Sequence, residues 1–81
     1  MVKLQILKMI SLGEGAGPGG PVRNWQVTFE LDGSGVSTVI DVSAESPLAD
    51  VGGSQAQTNA LRSLRAFLRD ASQSADNLQL H

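Results

Sequence analysis

Hydrophobic and polar residues alternate with a period of two along the first half of the chain, and the last third changes to a period near 3.6. Val2, Leu4 and Ile6 share one face while Lys3 and Gln5 take the other, which predicts a strand over about residues 2–12. The alternation slips after Ile6, because Leu7, Met9, Ile10 and Leu12 fall on both faces around Lys8. A β-bulge would account for the slip, and so would a second buried surface. The second strand, about 22–32, has the cleanest pattern. Trp25, Val27, Phe29 and Leu31 face one way, and Asn24, Gln26, Thr28 and Glu30 the other. A third strand over about 36–44 directs Val36, Thr38, Ile40 and Val42 inward and Ser37, Asp41 and Ser43 outward, with Val39 as an apolar exception on the wet face.

The segments between these runs carry turn chemistry. Asp32-Gly33-Ser34-Gly35 predicts a tight hairpin between strands two and three. Residues 13–21, Gly-Glu-Gly-Ala-Gly-Pro-Gly-Gly-Pro, predict a long flexible loop, since glycine loses the most entropy on ordering and proline lacks a donor. Ser46-Pro47 opens a connection in which Leu48 and Val51 are expected to plug the edge of the core.

The 3.6 period then predicts a helix over about 54–75, followed by a tail at 76–81. Ser54-Gln-Ala-Gln57 fits a capping box, in which the serine hydroxyl accepts from a first-turn amide and the glutamine reaches back. Ala60, Leu61, Leu64, Phe67, Leu68, Ala71 and Ala75 fall within about 120° of the helical wheel, the width of a core-facing stripe. The order β-β-β-α with short connections implies one α+β domain spanning 1–81. It is a three-stranded antiparallel meander with a single C-terminal amphipathic helix on one face.

Composition narrows what such a domain does. Eighty-one residues make one domain with a small core. There is no cysteine, so thiolate metal sites, disulfides and cysteine nucleophiles are excluded and stability rests on packing or self-association. Net charge is −2, without the basic field of a general polyanion binder. The N-terminal residues are interrupted by Lys3, Gln5 and Lys8. They match neither a signal peptide nor a membrane span, so a cytoplasmic protein without membrane contact is expected.

Five features invite a chemical reading. The glycines at 13–20 follow a strand, as in a dinucleotide fingerprint, but Pro21 leads into another strand rather than the helix that would hold a phosphate. Trp25 is in register with Val27 and Phe29, which assigns it to the core rather than to an exposed anchor. Glu30 and Asp41 share the wet face without a cleft to perturb them. His81 is terminal, so with no cysteine or tyrosine a nucleophilic or histidine acid–base scheme has no members. Arg62, Arg65 and Arg69, at i, i+3 and i+7, form a ridge opposite the leucine face.

These residues point away from catalysis and imply neither cofactor nor metal. The first expectation is a non-catalytic protein–protein interaction or accessory module. It would be homodimeric through an open sheet edge or through the sheet face away from the helix, where Leu7, Met9 and Val39 add apolar area. The alternative is a nucleic-acid-binding domain using the Arg62, Arg65 and Arg69 ridge, although no aromatic residue accompanies it. A small enzyme or ligand-binding domain with the 13–21 loop as a lid is the third reading, limited by how little room so small a core leaves for a pocket.

Overall fold

The computed structural model describes residues 1–78. Strands β1 (Lys3–Gly17), β2 (Gly20–Gly33) and β3 (Val36–Pro47) form one antiparallel sheet in the order β1-β2-β3, and helix α1 (Ser54–Asn77) follows. The expected α+β meander with its C-terminal helix is the architecture of the chain. Of the tail expected at 76–81, Asp76 and Asn77 belong to α1, and residues 79–81 lie outside the described residues.

The largest departure from expectation is at the glycine-rich segment. β1 continues through it to Gly17, a two-residue turn at Pro18-Gly19 reverses the chain, and β2 resumes at Gly20. Gly13 pairs with Asn24, Glu14 with Arg23, Gly15 with Val22 and Ala16 with Pro21. The partner strand supplies what the segment lacks locally, because Val22 and Arg23 are themselves paired with Pro47 and Ser46 of β3. Glycine also leaves room for the Asn24 side chain: a Cβ on Gly15 would lie 2.6 Å from Asn24 Nδ2. A ladder bonded to an already paired strand offsets the entropy of ordering glycine.

Two register shifts interrupt β1, one between Ile6 and Lys8 and one between Ser11 and Gly13. The first explains the slipped pattern. Leu7 is the extra residue of a bulge, and beyond it the inward positions move from even to odd numbers. Cross-strand partners share a face, so Leu4 (opposite Leu31), Ile6 (opposite Phe29), Met9 (opposite Val27) and Ser11 (opposite Trp25) all lie on the helix side. At the other hairpin Ser34 and Gly35 both have positive φ, 55° and 78°, as a tight two-residue turn requires.

The core lies between α1 and the β2–β3 half of the sheet. Val27, Phe29, Ala44, Ala60 and Leu64 form its buried cluster, with Met9, Ile40, Val42 and Leu68 packed around it. Trp25 is buried as expected, and its indole Nε1 donates to Ser46 Oγ at 2.9 Å. Inward positions at the start of β3 are not covered: Val36 and Thr38 are exposed. In the connection to α1, Leu48 is half-buried, whereas Val51 is exposed and plugs nothing.

Candidate interaction surface

What positions α1 is a carboxylate several residues before it. Gly53 takes the N-cap position in the left-handed region (φ 81°), and Ser54 is already helical, so the expected capping box does not form. Asp50 replaces it. Its carboxylate accepts from the amides of Gln55 (3.1 Å) and Ala56 (3.0 Å) and from the Ser54 hydroxyl (3.3 Å). Burial pushes the Asp50 carboxyl up, but the hydrogen bonds from the Ala56 and Gln55 amides and the Ser46 and Ser54 hydroxyls outweigh it and hold the group below its ordinary value. Gln57, freed from the cap, reaches Met9 Sδ at 3.2 Å. Asn59 Nδ2 donates to the Glu45 carbonyl at 2.8 Å and ties the helix to β3.

This anchoring sets α1 over β3 and β2 and leaves β1 without a helix above it. On the helix side of β1, Leu4 (43%) and Ile6 (41%) remain exposed. Together with Leu61 (39% exposed), Phe29, Gln5, Gln57 and Thr58 they line a shallow cleft of about 400 Å³ between β1 and α1. On the other flank of the helix, Phe67 (57% exposed) stands over Ile40 and Val42 in a second open depression. The far half of α1 fares similarly. Ala56, Ala60 and Leu64 are buried and Leu68 half-buried, but residues 69–78 are all exposed, including Ala71 and Ala75 of the expected core stripe.

The opposite face of the sheet is polar around two cross-strand hydrogen bonds, with Ile10 exposed farther along β1. Gln5 Nε2 donates to Glu30 Oε1 and the Thr28 hydroxyl to Asp41 Oδ1, both at 2.7 Å. Glu30 pairs with Val39 and Asp41 with Thr28, so the two carboxylates each hold a neutral neighbour and do not form a pair. The residues expected to build an apolar patch here are dispersed. Val39 is exposed on this face, Leu7 is exposed at the bulge, and Met9 lies on the helix side against the core. The bulge at Leu7 turned Met9 inward. Arg62, Arg65 and Arg69 are exposed along α1.

The surface that sequence reasoning missed is therefore Leu4, Ile6 and Leu61. All three carry core signatures, and only the reach of the helix across the sheet decides that they stay uncovered. Among the described residues no group of three or more His, Asp or Glu side chains is placed to hold a metal ion, and no helix is long and apolar enough to cross a membrane. Comparison with protein-family models, curated proteins and solved structures finds no match.

Proposed function

We propose that this chain is a non-catalytic protein–protein interaction module whose binding surface is the apolar strip formed by the helix side of β1 and the adjoining flank of α1. The supporting observation is its excess surface. The accessible area is 5854 Å², against roughly 4,700 Å² for a compact monomer of 8.5 kDa. The radius of gyration agrees, at 15.1 Å rather than the about 12 Å of a compact chain of this length. Apolar side chains contribute to that exposure within one cleft, with Leu4 and Ile6 on β1 facing Leu61 on α1, all three exposed. Contiguous apolar area of this kind marks an interface.

Site-specific photo-crosslinking in cells tests the reading. A photoreactive residue in place of Leu4 or Leu61 is expected to give an adduct of discrete mass, and the same probe at Arg62, on the solvent side of α1, to give none. Equal labelling from all three positions, or from none, would sink the proposal.

A further inference from the structure

Resting on that reading of the strip as a binding surface, we infer that its occupant is a second copy of this chain. The two copies are related by a two-fold axis that seats the far half of each α1 in the β1–α1 cleft of the other.

Area supports a partner of this size. The surface in excess of a compact monomer, about 1,200 Å² over the whole chain, is enough to supply the roughly 800 Å² per partner that a standard specific interface buries. The chain also carries both halves of the fit. The cleft is the concave element, open above Leu4 and Ile6 beside Leu61. The ridge is the overhanging part of α1, where Ala71 and Ala75 continue the direction set by Ala56, Ala60 and Leu64, with the exposed Phe67 at its near end. That ridge contains no charge, and neither do Leu4, Ile6 and Leu61. Arg69, Asp70 and Asp76 lie off it.

A two-fold axis presents ridge to cleft twice, so one contact type closes the assembly and leaves no free end for polymerisation. The small side chains of Ala71 and Ala75 allow the incoming helix to approach the pleated surface of β1 closely. The net charge of −2 sets up little repulsion between copies. Docking also accounts for the length of α1. Its last nine residues, 69–77, receive no cover from their own sheet, and a helical segment of that length without tertiary contacts is marginal in water. In the dimer it lies on the partner's β1.

Sedimentation equilibrium of the full chain, up to about 100 μM, tests this, a concentration at which even a weak standard-size interface is populated. The wild type is expected to sediment at twice its 8.5 kDa. Ile6→Lys in the cleft and Ala71→Lys on the ridge should each weaken dimerisation about 30-fold or more, as loss of a central interface contact does. Ala71 is exposed, so its variant retains the monomer fold by circular dichroism. The double variant Ile6→Lys/Ala71→Glu should recover the dimer, and Val39→Lys, on the opposite sheet face, should leave it unchanged.

A monomeric wild type, or a dimer indifferent to both single variants, overturns the inference. A monomer that still gives a discrete adduct with a different protein from position 4 rejects the second copy while keeping the interaction module. A monomer that gives no adduct rejects both.

Discussion

The two halves of α1 continue one apolar stripe and meet different fates. In the first half Ala56, Ala60 and Leu64 are buried against Val27, Phe29 and Ala44, and the helix is held at its start by Asp50 and along its side by Asn59. In the second half the same period places Ala71 and Ala75 on the same side of the helix, with nothing beneath them. Sequence periodicity records which face of a helix is apolar. What lies under that face depends on how far the sheet extends and where the helix crosses it. The first half shows what folding of the monomer uses, and the second shows what the monomer leaves available.

The largest expected effect comes from core truncation in the first half. Leu64 is 1% exposed, so Leu64→Ala should cost about 2–5 kcal/mol. That is much of the stability of a domain this small, of the order of 5–15 kcal/mol in total. Phe67→Ala, three residues on, removes a larger side chain from an exposed position. Under conditions where the chain is monomeric it should change stability by less than about 1 kcal/mol. Urea titrations of both variants check the contrast. A Phe67→Ala cost equal to that of Leu64→Ala at low protein concentration would erase the distinction between the halves.

How much of this was legible in the sequence follows the same line. The period-two run around Trp25, Val27 and Phe29 and the 3.6 period from Ala60 to Leu64 report contacts that these two segments make with each other, and they mark the core. The slip at Leu7 was visible as a broken phase, but its consequence for Met9 depends on which side of the slip keeps register, and only pairing with Val27 decides that. The order in residues 13–21 arises from hydrogen bonds to β2, which no local property of glycine reveals. Asp50 was invisible as a cap because it acts across the Val51-Gly52-Gly53 turn, whereas Ser54 occupied the position where a cap is normally sought. The Leu4–Ile6–Leu61 cleft could not be read at all, since its residues are indistinguishable from core until the helix is in place.

Smaller effects sharpen the picture of how the first half is fixed. Ser46 is buried and accepts from the indole of Trp25, the only tryptophan in the chain. Ser46→Ala leaves that donor unsatisfied and should cost about 1–3 kcal/mol. Unfolding followed by Trp25 fluorescence measures the loss directly. An unchanged midpoint would mean that the indole finds water or another acceptor, and that this end of the core is looser than its burial implies.

Gly53 should come next. It is the residue that lets the chain turn from Asp50 into α1, at φ 81°, and a Cβ there would lie 2.7 Å from Met9 Cε and 3.1 Å from Trp25 Cη2. The left-handed conformation alone costs a non-glycine residue about 1–2 kcal/mol, and the Met9 methyl, at the end of a flexible side chain, can move to relieve part of the clash. Gly53→Ala should therefore lower the denaturation midpoint and reduce helix content. Gly52→Ala, where a Cβ meets nothing within 4 Å, should do neither.

The smallest effect separates the start of α1 from its far end by pH. The Asp50 carboxyl is held below its ordinary value of 3.8 in the folded chain, so the folded state binds this proton less readily than the unfolded one. The stabilisation is complete above the unfolded value and is lost as pH falls through the lower, folded value. Acidification below about pH 4 should therefore fray the helix at its start, where the Gln55 and Ala56 amides lose a charged acceptor. Hydrogen-exchange protection of these two amides, compared between pH 5 and pH 3, reads the effect at the residues concerned. Asp50→Asn keeps a neutral acceptor and removes the titration, so its protection should not change over the same window. Amides in 69–78 lack the Asp50 contact, and in the proposed dimer their protection should follow protein concentration, because a second copy would cover them. If both ends instead responded to pH alike, the anchor at Asp50 would be holding the entire helix, and its two halves would be one cooperative unit.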